Sequence, residues 1–227
     1  MDDDELLGTA GGVGATSAPG LLALHAVRVL GMTDAPGAAD RYGLDAAETA
    51  ELLLDFEAHG WVMQARTAAP GVWSLTPAGR AEGERRLAAE LRATGAREPV
   101  LAAYRDFEAL NARFLRACTD WQIHPTPWDA LAANEHDDWR WDERVLDELS
   151  RLGRYLVPVE QRLASALRRF AGYGDRYLHA LRTAELGDLA WVDGVAVDSC
   201  HRVWFELHED LLATLGIERG EAPGAEG

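Results

Sequence analysis

Beyond residue 96 the apolar residues recur only at helical spacing. In EPVLAAYRDFEALNARFLRACTDWQ, the positions Val100, Tyr104, Phe107, Phe114, Cys118 and Trp121 fall three, four and seven residues apart, which places them on one face of a helix. DERVLDELSRLG is a short amphipathic segment of the same kind. VPVEQRLASALRRFAGYGDRYLHALRTAEL is a long one with a bend expected near Gly172 and Gly174, and DSCHRVWFELHEDLLATLG is the last. Helices with one apolar face each must bury it against one another, so a helical bundle is expected here. HPTPWDALAANEHDDWRW interrupts the pattern as a long, turn-rich connection carrying Trp128, Trp139 and Trp141.

The first half is organised differently. Pro19 opens a helix in PGLLALHAVRVLGM, where Leu21, Leu24, Val27 or Arg28, and Leu30 are near helical spacing. DAPGAADRYG follows, with Pro36 suited to a first helical turn and Gly43 to a stop. In GLDAAETAELLLDFEAHGWV, Asp45 is the expected N-cap and Glu48 completes a capping-box arrangement. Leu52, Leu53 and Phe56 form its buried stripe and Gly60 ends it. WVMQA and VWSL, joined by RTAAPG, read as two short strands of a hairpin. TPAGRAEGERRLAAELRATG then opens a helix with Thr76 as N-cap and Pro77 as first residue. The acidic, Gly-rich start and the end ERGEAPGAEG read as flexible. The expected fold is mainly α with a small β-hairpin wing. Its boundaries are an arm at 1–18, a first module at 19–95, a helical domain at 97–216 and a tail at 217–227.

LLLDFEAHGWV followed across the hairpin by WSLTPAGR resembles the winged helix-turn-helix of MarR- or PadR-type transcriptional regulators. The resemblance covers residues 19–95. It implies a recognition helix beginning near Asp45, with Ala46, Ala47 and Ala50 toward the DNA groove. It also implies double-stranded DNA as the partner, and contacts from Arg41 before the helix, Arg66 at the wing and Arg80 after it. Arg85 and Arg86 follow in the same stretch. Residues 97–216 resemble helical dimerisation or effector-binding domains in general style alone, and the expected organisation is a homodimer in which they serve dimerisation and could sense a small-molecule effector.

Charge runs against part of this. The formal net charge is -16, and all 22 cationic Lys or Arg positions are arginine. Such a chain does not attract nucleic acid through its overall field. Asp45, Glu48, Glu51 and Asp55 follow helical spacing opposite the Leu52, Leu53 and Phe56 stripe. Asp45 and Glu48 suit a helix N-terminus through capping and the helix dipole, whereas Glu51 and Asp55 have no such local reason. A protein-docking module without DNA binding is therefore the alternative.

In the second half, Trp121, His124, Trp128, Trp139, Trp141, His201, Trp204 and His208 are candidates for an aromatic ligand pocket with polar handles. The competing expectation is that the tryptophans pin the long connection to the bundle. Asp175 and His179, spaced i, i+4, could with His201 and His208 hold a metal between two helices. Core or interface histidines are the simpler expectation, and no cofactor is predicted. Glu206 and Asp210 face away from the histidines and fit a solvated helix face. There is no phosphate-binding glycine loop, nucleophile elbow or HExxH, and GGVGA follows no strand. An enzyme with its site in the helical domain remains a third possibility. Cys118 and Cys200 lie among apolar neighbours outside any CxxC, as expected of reduced thiols. The start MDDDELL lacks a basic signal region and no apolar run approaches a membrane span, so a cytoplasmic protein is expected.

Overall fold

A computed structural model describes residues 14–65 and 71–218. The chain is mostly helical with one small three-stranded antiparallel sheet. Helix α1 (Pro19–Leu30) leads through strand β1 (Met32–Thr33) to α2 (Ala35–Tyr42) and α3 (Ala46–Ala58). Strands β2 (Val62–Gln64) and β3 (Trp73–Leu75) precede α4 (Pro77–Thr94). The sheet order is β1-β3-β2, with Val62 opposite Leu75 and Thr33 opposite Trp73. Leu24, Val27, Leu53, Phe56, Val62 and Trp73 form the core beneath it.

Local chemistry sets these boundaries. Asp45 accepts hydrogen bonds from the Ala47 and Glu48 amides and starts α3, while Gly43 at φ 65 closes α2. Thr76 accepts from the Gly79 amide and donates to the Gly60 carbonyl, so one side chain caps α4 and ties it to the end of α3. A Cβ on Gly79 would lie 1.9 Å from the Trp61 carbonyl oxygen, which explains the glycine of TPAGR. Thr76→Ala is expected to cost about 1 kcal/mol of stability, the usual worth of an N-cap, measured by urea unfolding.

The second part comprises α5 (Arg97–Gln122), α6 (Trp139–Ala166), a 3-10 turn (Arg168–Phe170), α7 (Tyr173–Glu185), α8 (Ala190–Asp193) and α9 (Cys200–Leu215). Its core stacks Trp204 on Phe114, ring centroids 4.3 Å apart, with Phe107, Leu149, Leu163 and Tyr177 around them. Helix α9 also packs on α1 and α4, where Leu21, Leu87 and Ala213 form a small apolar cluster. The two parts are thus joined by a packed junction.

Three expectations are corrected. The segment from Val157 to Leu186 is not one bent helix. Helix α6 starts at Trp139, runs through Pro158 and stops at Ala166, and α7 begins after Gly172 at φ 95. Strand β1 adds a third strand to the expected hairpin; two residues are too short to show a period. Residues 14–18 are not a free arm either. Ala15 bridges Leu167, exchanging hydrogen bonds with Ala166 and Arg168, and Ser17 is buried. The remainder of the arm, and residues 219–227 of the tail, lie outside the described residues.

Candidate functional site: a buried ionic junction

Helix α9 follows the heptad Val203, Leu207, Asp210, Thr214, which turns Asp210 inward. Asp210 is 0 % exposed, and its carboxylate is fully occupied. Oδ1 accepts from His25 Nε2 of α1 at 2.8 Å and from Arg169 Nη1 of the 3-10 turn at 2.5 Å. Oδ2 accepts from Tyr173 Oη at 3.0 Å. Arg169 also donates to Thr214 Oγ1 and, through Nε, to Glu90 of α4. One carboxylate and one guanidinium therefore bridge the first module and the bundle.

Beside them Arg176 of α7 donates to both oxygens of Asp198 and to Glu206, and Glu206 accepts in addition from Arg202. The expectation of a solvated face for Glu206 and Asp210 is thus overturned: both are buried. Their charges are tolerated because each meets two or more donors.

Burial pushes the His25 imidazole below its ordinary value of 6.5, with Asp210 opposing the shift. Burial raises the Asp210 carboxyl, but Arg169 and then His25 more than offset this and hold it below its ordinary value of 3.8. Both folded-state values lie under the unfolded ones, so the unfolded chain binds more protons in acid. Stability is expected to be flat between about pH 7 and the ordinary thiol value of 9.0, above which the buried thiols Cys118 and Cys200, both raised by burial, favour the unfolded chain. It falls first as pH drops through 6.5, from His25, and again below 3.8, from Asp210. Thermal unfolding against pH checks this, and His25→Gln should delay the first fall until the carboxyl range.

On the outer side of α9 a cleft of 1260 Å³ opens between the C-terminal end of α1, the start of α4 and the loop at Gly194. Arg28 crosses part of it, donating to Glu84 and Glu209. Met32, Val195 and Phe205 supply an exposed apolar lining. Glu206 belongs both to this cleft and to the ionic junction.

The DNA-contact candidates fare unevenly. Ala46 and Ala47 are exposed and Ala50 is half-buried against the module core. Glu48, Glu51 and Asp55 form the outward face of α3, with Leu54 beside them. Arg41 does not point outward. Its guanidinium lies 4.1 Å over the Tyr173 ring and 4.6 Å over Tyr42, because its long side chain reaches the aromatic wall of the bundle. Arg80 lines the cleft 3.6 Å from Glu209, and Arg85 and Arg86 are paired with Glu82. Arg66 lies outside the described residues.

The aromatic pocket is not assembled as expected. Trp121 and Trp204 are core residues, and Trp128 is 93 % exposed. Trp139 is exposed, while Trp141 stacks on His124 at 4.3 Å and donates to the Asp120 carbonyl. Asn134 donates to the Trp121 carbonyl, so Trp121 and Trp141 anchor the connection to the bundle. Of the eight candidates, His201, Trp204 and His208 share a hollow of 150 Å³. The metal set is not brought together either. His179 packs edge-on against Trp191, and His208 meets Glu108 at 3.1 Å. No group of three or more potential ligands forms among the described residues. Cys118 and Cys200 are free, buried thiols, and burial raises Cys118 to about 12. No helix among the described residues is long and apolar enough to cross a membrane.

His25, Arg169, Tyr173 and Asp210 carry the junction and were missed in the sequence. The signal for Asp210 was its place in the apolar heptad; its charge argued for solvent instead. No family model, curated protein or solved structure matches the chain.

Proposed function

We propose that residues 19–95 act as a winged helix-turn-helix module in a regulatory protein, and that the module docks a protein surface of positive charge. The element order α1, β1, α2, α3, β2, β3, α4, with the sheet order β1-β3-β2, supports the winged-helix part. The acidic outer face of α3 carries the docking part: Glu48, Glu51 and Asp55 are exposed there. Among the described residues, the nearby arginines 41, 80, 85 and 86 are stacked on aromatic rings or paired with carboxylates. A surface so arranged repels phosphates and attracts cationic side chains. The bundle, fixed to the module through Asp210 and Arg169, supplies the cleft beside α9 as an effector site. An effector that prefers one setting of the junction shifts the population of docking-competent chains.

The second reading is a DNA-binding transcriptional regulator working as a homodimer. The element order and Arg66, which follows β2 in the sequence, favour it. Exposed Trp128, Leu131 and Trp139 offer a second copy an apolar surface.

Affinity purification of the tagged full chain, identifying bound protein and bound DNA together, separates the two. Docking predicts a protein partner retained at low salt with no enriched duplex. Enriched promoter fragments without such a partner overturn it.

A further inference from the structure

The junction contains donors that nothing accepts from. Nε and Nη2 of Arg41, Oη of Tyr42 and Nη1 of Arg176 are buried and have no hydrogen-bond partner among the described residues. Arg41 forms no ion pair there either; its guanidinium packs on the faces of Tyr42 and Tyr173 and meets the Tyr173 hydroxyl, which leaves Nε and Nη2 over. Arg176 lies 5.7 Å over the same Tyr173 ring, and the two guanidiniums are near enough for Arg41 to oppose the charge on Arg176. Asp198 and Glu206 occupy Nε and Nη2 of Arg176 and leave Nη1 over.

Buried polar groups are almost always paired, and buried charges more strictly so. Here two cations and a phenol share one deficit, an acceptor. An oxyanion meets it, since guanidinium forks match the paired oxygens of carboxylate and phosphate. Glu206 lines the cleft and also holds Arg176 through Nη2, so the cleft leads toward the Arg176 guanidinium, whose Nη1 is left for an anion.

We propose that Arg41, Tyr42 and Arg176 form a binding site for a small oxyanion, phosphate or an organic carboxylate, that links the end of α2 to α7. Nε and Nη2 of Arg41 are closed to solvent, and the site fills when the Arg41 side chain rotates off the Tyr42 ring toward the anion. Because α2 leads directly into α3, occupancy fastens the outward-facing helix to the bundle. This assignment is independent of whether α3 meets protein or DNA.

The test is thermal unfolding of the full chain in rising sodium phosphate, and separately sodium succinate, with ionic strength held constant by sodium chloride at one pH. A ligand of the native state raises the midpoint in a saturable way. A rise with phosphate alone assigns phosphate, a rise with succinate alone assigns a carboxylate, and a rise with both assigns the shared chemistry. Arg41→Gln should abolish the rise. Tyr42→Phe, which keeps the ring under Arg41 and removes only the hydroxyl, should weaken the apparent affinity at least about tenfold, the loss of one hydrogen bond to a charged group. No saturable rise over sodium chloride with either anion overturns the site. An undiminished rise in Tyr42→Phe or in Arg41→Gln overturns it equally.

Discussion

Asp210→Ala is expected to lower stability by about 3–5 kcal/mol, the usual cost of removing one partner from a buried ion pair. The loss exceeds that of a missing contact because the partners stay behind. Arg169 would remain buried with Glu90 as its remaining carboxylate partner. His25 would lose its acceptor among the apolar residues of α1, and Tyr173 Oη would lose Asp210 Oδ2. Urea unfolding followed by tryptophan fluorescence measures the change, since Trp204 lies on the same helix. Asp210→Asn should recover only part of the loss, because an amide oxygen accepts without neutralising Arg169. The effects of Asp210→Ala and His25→Gln should be far from additive, as they remove one shared network. A loss below about 1 kcal/mol would show that the junction contributes little beyond its apolar packing.

The second large effect concerns binding. Glu51→Arg with Asp55→Arg reverses the part of the α3 face that plays no role in capping. Both residues are exposed, so stability should stay within about 0.5 kcal/mol per site. The variant should lose the protein partner captured by the native chain. It should also gain duplex affinity, with a salt slope steeper by about 0.9 for each new phosphate contact. Anisotropy titrations of native and variant chains on the same duplex measure this. A native chain that binds duplex more tightly than the variant contradicts docking through this face.

The elements legible in the sequence are those set by local chemistry. Asp45, Gly43, Thr76 and Pro77 each act on their immediate neighbours, and each stands where its type and spacing put it. Apolar periodicity likewise located the core face of α5. What was hidden depends on distant partners. Arg41 looked like a surface cation because its spacing says nothing of a tyrosine more than a hundred residues onward. Asp210 sits on an apolar stripe, yet Arg169, His25 and Tyr173 from other elements make that placement tolerable. Composition alone groups the tryptophans, although the backbone sends Trp128 of the long connection to solvent and Trp121 of α5 to the core.

The most direct measurement of whether the α3 face serves protein or DNA is a titration of the native full chain on duplex fragments of its own genome, at ionic strengths from about 0.01 M to 0.15 M. Docking predicts no saturable binding even at the lowest salt, where phosphate attraction is strongest. Binding at micromolar concentration or tighter, falling steeply as salt rises and lost on replacing Arg66, would contradict it and establish the module as a DNA reader.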